Sequence, residues 1–221
     1  MKFSYKKLAM GVLASVMLAG TASAGELLVY SSTDADNLKY YMDNFQKDNP
    51  DIKVKVVRES TGTMAAKMMA EKDNPQADVL FEMAATVALN METQGMFHPY
   101  TPKGMDKIDQ RYVDKEGEVN WVGNYGWAGC ICWNTVEAKK LGLPKPKSWA
   151  DLTNPVYKGL ISMPNPNSSG TGFLDVSSWI QVMGEDAAWD YMDALHKNIG
   201  VYTHSGSKPC KQSGSGEFPI G

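Results

Sequence analysis

The feature that most narrows the fold is a recurrence: a short strand-like run stops at a hydroxyl-rich turn, and a helical pattern begins at once. Glu26-Leu27-Leu28-Val29-Tyr30 stops at Ser31-Ser32-Thr33, after which Leu38, Tyr41, Met42 and Phe45 share one helical face up to Asn49-Pro50. Ile52 to Val57 alternates like a strand and runs into Ser60-Thr61-Gly62-Thr63, with a helix predicted from Met64 to about Glu71. Ala77 to Phe81 reads as a third strand, delivering Glu82-Met83-Ala84-Ala85-Thr86. Strands and helices alternating through short connections predict a parallel α/β sheet, and such sheets bind ligands at the carboxyl ends of their strands. The three turns therefore converge on one cleft edge.

The same arrangement returns late in the chain. Leu160-Ile161-Ser162-Met163 is a strand pattern leading to Asn165-Pro166-Asn167-Ser168-Ser169-Gly170-Thr171-Gly172, and helices follow over Phe173, Trp179 and Ile180 and over Ala188, Tyr191, Met192 and Leu195. Ser and Thr cap helices, glycines let backbone approach a ligand, and the first amides of a helix lack internal acceptors. Together these make an anion cradle that needs no cationic side chain, with the amides of Phe173 to Val176 expected to face the ligand. Ser31, Ser32, Thr33, Thr61, Gly62 and Thr63 are expected to form one wall of a site, and Ser168, Ser169, Gly170, Thr171 and Gly172 the other, with Ser205 and Ser207 adding to the second. The glycine- and aromatic-rich run Trp121 to Asn134 reads as a strand crossing between two lobes, with Tyr125 and Trp127 as candidate ring contacts.

The N-terminus places Lys2, Lys6 and Lys7 before an apolar run from Leu8 to Ala19 and ends in Ala22-Ser23-Ala24, the pattern of a cleavable secretory signal peptide over residues 1–24. Loss of three lysines takes the formal charge from −3 to −6, an unpromising balance for a nucleic-acid binder. Cys130, Cys132 and Cys210 are an odd number for an oxidising compartment; the count allows one disulfide and one free or buried thiol, and the sequence leaves the disulfide state and the partner of Cys210 open. His98, His196 and His204 offer no ligand spacing with these thiols, so no metal and no cofactor is expected. Ser205-Gly206-Ser207-Lys208 fits a serine-hydrolase pattern that needs Ser and Lys one helical turn apart. Pro209 directly after Lys208 argues against that geometry, and no enzyme activity is expected.

The order Leu28-Val29-Tyr30-Ser31-Ser32, Ala77-Asp78-Val79-Leu80, Cys132-Trp133-Asn134-Thr135, Ser148-Trp149-Ala150-Asp151-Leu152, Asn154-Pro155-Val156-Tyr157-Lys158-Gly159 and Asn165 to Gly172 resembles the periplasmic solute-binding proteins of ABC transporters. More narrowly, it is similar to the branch holding ferric-iron, phosphonate, phosphosugar and polyamine binders. The resemblance implies a two-lobed type II α/β fold, with lobes over 25–124 and 125–221, the second truncated at Gly221. It further implies a monomer that closes on a small solute and presents it to a permease in the inner membrane. The hydroxyl-rich turns favour a small anionic solute, a phosphonate or phosphorylated sugar, with ferric iron as the alternative. Tyr40-Tyr41 lies within the first helix and is discounted as an iron site.

Overall fold

A computed structural model describes residues 25–115 and 117–221; the predicted signal peptide lies outside them. β1 (Gly25–Ser31) is the central strand of a three-stranded sheet, flanked by β2 (Ile52–Arg58) and β3 (Val79–Phe81). Both pairings are parallel, and the register sets Ser31 beside Arg58 on one side and beside Phe81 on the other. The three carboxyl ends therefore stop level, as the alternation predicts. Helices α1 (Ala35–Asp48), α2 (Thr61–Ala70) and α3 (Ala85–Thr93) each start within four residues of a strand end.

Tyr30, Met64, Met68 and Met91 form the buried centre of this lobe, so the Met64/Met68 stripe is core. The expected face of α1 is only partly covered. Leu38 is its single buried residue, while Tyr41 and Phe45 remain exposed, Tyr41 meeting Phe81 edge-on at 5.5 Å between centroids. The described residues of 97–121 form an irregular connection with short 3₁₀ turns at Met105–Lys107 and Gln110–Tyr112.

The second sheet pairs β4 (Ile161–Pro164) with β5 (Ile199–Thr203), again parallel. Ile220 bridges antiparallel to Trp133 and parallel to Ile161, and reciprocal bonds join the Cys132 and Gly221 backbones at 2.7 and 2.8 Å. The strand-like ending Phe218 to Gly221 thus lies inside the lobe. Helices α4 (Thr135–Leu141), α5 (Gly170–Met183), α6 (Glu185–His196) and α7 (Lys208–Ser215) complete it. Gly142 ends α4 at φ 64°, a left-handed cap that glycine adopts without strain.

The core here is aromatic: Trp179 meets Trp149 and Tyr191 edge to face at 5.6 and 5.1 Å, over Leu152, Ile161, Leu195 and Ile220. Cys132 and Cys210 form a disulfide joining α7 to the 131–134 segment, leaving Cys130 free and exposed. The expected crossing strand over 121–133 does not form. Only its ends are bridged, at Val122 and Trp133, and the stretch between, interrupted by Gly123, Gly126 and Gly129, is irregular.

Candidate functional site

The level strand ends of the first sheet build one wall of a cleft. Thr61 donates its hydroxyl to Ser32 Oγ at 3.1 Å, and Ser32 donates onward to the Glu82 carbonyl at 3.0 Å. Glu82 sits at φ 56°, a left-handed backbone unusual for a residue with a side chain. Its carboxylate accepts from the Thr33 hydroxyl and from the Asn124 amide at 2.7 Å, which ties the strained turn to the 124–128 loop. Strain of this kind is kept where surrounding contacts over-determine it. Arg58 donates Nε to the Thr33 carbonyl at 2.9 Å and lines the cavity, its two terminal nitrogens finding no acceptor among the described residues. The expectation of a wholly neutral cradle is corrected here: a guanidinium belongs to the wall.

The opposite wall comes from α5 and α7. Ser169 caps α5, its hydroxyl accepting from the amides of Thr171 and Gly172 at 3.2 and 3.3 Å. The helix starts at Gly170, so the Phe173 amide already bonds the Ser169 carbonyl at 3.0 Å. The amides expected at Phe173 to Val176 are therefore inside the helix, and it is Gly170 that leaves an N–H without a described acceptor. α7 begins behind Ser207, whose hydroxyl lies 3.3 Å from that of Ser205. Lys208 is the first residue of α7 and Pro209 lies in its first turn, while Ser205 precedes the helix. The Ser-to-Lys turn that a hydrolase would need is absent, though for a different reason than Pro209 displacing Lys208. The two helix entries touch: a Cβ on Gly206 would fall 2.2 Å from Thr171 Oγ1, so only glycine fits.

The lobes meet directly. Gly62 N–H donates to the Ser168 carbonyl at 2.9 Å, and a Cβ on Gly62 would sit 2.2 Å from the Asn167 carbonyl oxygen. Asp34 accepts from Ser207 at 3.0 Å and pairs with Lys211 at 3.0 Å, and His204 lies 3.6 Å from Glu59. Between the walls is a cavity of about 290 Å³. Of the expected site residues it is lined by Ser32, Thr61, Tyr125, Trp127, Ser169, Gly170, Thr171, Ser205 and Ser207.

Six others do not line it, each for a visible reason. Ser31 is fully buried and accepts from the Thr33 amide, and Thr33 is buried with its hydroxyl given to Glu82. Gly62 and Thr63 lie within the first turn of α2, which starts three residues earlier than predicted. Ser168 donates its hydroxyl to the His204 carbonyl at 3.2 Å, and Gly172 is packed against the Pro164 to Pro166 backbone. These residues shape the walls that the others present.

Three lining residues carry charge and are not among the expected site residues: Arg58, Asp34 and Asp175. Desolvation would raise the Asp34 pKa, but hydrogen bonds from Lys211 and Ser207 outweigh it and hold the carboxyl below its usual value. Asp175 is the opposite case. It sits in α5 against Gly129, where a Cβ would come 2.2 Å from Oδ1; no described side chain or amide hydrogen-bonds to it, and its charge acts on the nearby Tyr191 phenol. Burial alone pushes its pKa up to about 6. Tyr125 is also raised, by desolvation and then by Glu82, against a hydrogen bond with Thr33. Three helix entries, at Ser60, Ser169 and Ser207, therefore converge on a cavity that also holds a guanidinium with open terminal nitrogens and a carboxyl with no hydrogen bond among the described residues. A helix entry and an arginine together favour an anion; an unpaired carboxyl favours a donor such as a hydroxyl. A Gly-Cys-x-Cys run facing a helix gives no sequence signal for Asp175, which is why it was missed.

The model of the bacterial extracellular solute-binding protein family matches residues 74–221. An uncharacterized protein of Haemophilus influenzae is 32% identical over 100% of the chain and 66% of its own length. A probable ABC transporter periplasmic-binding protein, y4fP of Sinorhizobium fredii, is 25% identical over 93% of the chain and 57% of its own. Among solved structures, the periplasmic binding protein AfuA of Actinobacillus pleuropneumoniae, with exogenous fructose-6-phosphate bound, superposes with a TM-score of 0.78. It is 34% identical, covering 89% of this chain and 62% of that one. The chain thus spans about two thirds or less of the length of these relatives.

Proposed function

The chain belongs to the bacterial extracellular solute-binding proteins and has their two-lobed type II fold, and from that premise we propose that it is the periplasmic receptor of an ABC importer for a phosphorylated sugar. The family and the structures it resembles are solute-binding proteins, not enzymes. In this reading the phosphate lies at the entry of α5, held by Gly170 N–H, the Thr171 and Ser207 hydroxyls, and Arg58 from the facing lobe. Closure of the lobes buries it, and the closed receptor docks on a permease in the inner membrane. The observation that carries the sugar half is Asp175, a cavity carboxyl without a protein partner. Inorganic phosphate and simple phosphonates would leave it desolvated and unpaired, which costs affinity, whereas a polyol supplies it with hydroxyl donors. The fructose-6-phosphate bound to AfuA is a ligand of that chemistry.

Calorimetric titration of the full-length protein tests this with fructose-6-phosphate, fructose, inorganic phosphate and ferric citrate. The sugar phosphate is expected to bind, and fructose and phosphate to bind at least tenfold more weakly. Thr171→Ala should lose about tenfold, the scale of one hydrogen bond to a charged group at roughly 1.5 kcal/mol. Saturable binding of ferric citrate with no response to any organic phosphate would replace this reading by the iron alternative.

A further inference from the structure

The cavity wall holds a group of atoms to which the proposed solute site assigns no role. Cys130 is an exposed free thiol whose sulfur lies 4.0 Å from that of Cys132, and the sulfurs of Cys130, Cys132 and Cys210 all lie within 4.8 Å of one another. Two of them are already bonded, as Cys132–Cys210. Cys130 and Cys210 both line the cavity, so the centre is open to solvent and to small thiols. Cys132 is fixed from behind, by its paired backbone bonds to Gly221 and by the Ser213 hydroxyl donating to its carbonyl at 3.2 Å. Cys130 has no such tie among the described residues and follows Gly129 in an irregular stretch.

We infer that the three sulfurs form a thiol–disulfide exchange centre in the wall of the cleft, in which Cys210 bonds either Cys132 or Cys130. The step is an isomerisation and needs no external oxidant. The Cys130 thiolate attacks Cys210 Sγ, a Cys130–Cys210 bond forms as the Cys132–Cys210 bond breaks, and the electron pair leaves on Cys132. The proton given up by Cys130 ends on Cys132, so atoms and electrons balance. Cys130 Sγ lies within 4.8 Å of the attacked Cys210 Sγ, a separation that a small shift of the irregular 124–130 stretch closes to the range such exchange requires.

The consequence falls on α7. Cys210 lies next to Lys211 and three residues from Ser207, the two groups that hold Asp34 of the facing lobe. Moving its tether from position 132 to 130 shifts both against Asp34. The bond register is thereby coupled to how the lobes close.

Peptide mapping tests the exchange independently of which solute binds. The full-length protein is held near pH 8.5, where thiolates are populated, quenched in acid, alkylated without reduction and digested. Label on Cys132 as well as Cys130, together with a Cys130–Cys210 crosslinked peptide, is the expected result; label confined to Cys130 overturns the inference. Cys132→Ser treated with oxidised glutathione supplies a second measurement. A Cys130–Cys210 bond should close with release of two reduced glutathione molecules, whereas glutathione adducts on both cysteines without a crosslink also overturn it.

Discussion

The two lobes are built from the same strand-turn-helix unit but are held together differently. The first rests on Tyr30 and three methionines, with one buried side chain anchoring α1. The second packs nine buried apolar residues around a Trp149–Trp179–Tyr191 aromatic chain and adds a disulfide. The polar chemistry is divided in a matching way. On the first wall the hydroxyl of Thr61 donates to Ser32, that of Ser32 to Glu82, and the carboxylate of Glu82 is met by Thr33 and Asn124. On the second, a helix entry and the carboxyl of Asp175 are left open. The division is one of degree, since the first wall also leaves the terminal nitrogens of Arg58 open, but a densely packed core is what fixes the open groups of the second in place.

The largest test of that contrast is Trp179→Ala. Removing a buried Trp costs about 3–5 kcal/mol, and here it also removes two ring contacts. Hydrogen exchange of the intact protein should show lost protection in α5, α6 and β4 with the amides of β1 unchanged, as separate cooperative units require. Equal loss in β1 would mean that the lobes unfold as one and that the contrast in packing has no energetic meaning.

Asp175 gives the next effect in size. Its carboxyl is raised to about 6, so between roughly pH 4 and pH 6 the folded chain keeps a proton that the unfolded chain has lost. The stabilisation is full below about pH 4 and disappears as pH rises through about 6; above that the protein carries a partly buried, unpaired charge. Asp175→Asn should therefore raise stability at pH 7.5 by on the order of 2 kcal/mol and flatten the slope of Tm between pH 4 and pH 6. The same change should weaken sugar-phosphate binding, since a site that keeps such a cost does so for its ligand. A Tm slope unchanged by the substitution would show that Asp175 is solvated and no different from the satisfied carboxylate of Glu82.

What the sequence made legible follows the same division. The parallel first sheet, the turn at each strand end and a hydroxyl cap from among Ser168, Ser169 and Thr171 are readable in the sequence, because period, turn chemistry and capping are local. Helix starts were placed up to three residues late, since Gly62 and Gly170 read as loop yet lie inside first turns. Ser31, Thr33 and Ser168 share the composition of the lining hydroxyls, and only the tertiary structure turns them toward Thr33, Glu82 and His204. Arg58 was hidden as the last residue of a strand, and Asp175 as a polar position on an amphipathic helix. The partner of Cys210 required the second sheet to be assembled, because Gly221 is what pins Cys132.

The smallest effect concerns the contact between the lobes. Lys211 and Asp34 pair at 3.0 Å with the lysine 60% exposed, and exposed pairs of this kind contribute about 0–1 kcal/mol. Lys211→Met should leave the Tm of the unliganded protein within a degree or two. Affinity should fall by less than about fivefold, because the pair bridges the lobes and a ligand that draws them together loses only the modest stabilisation of one exposed ion pair. Small-angle scattering should show the unliganded variant slightly more open than wild type, and the liganded one the same. If affinity instead drops by orders of magnitude, Lys211 touches the solute itself, and the second wall carries a cation to match Arg58 on the first.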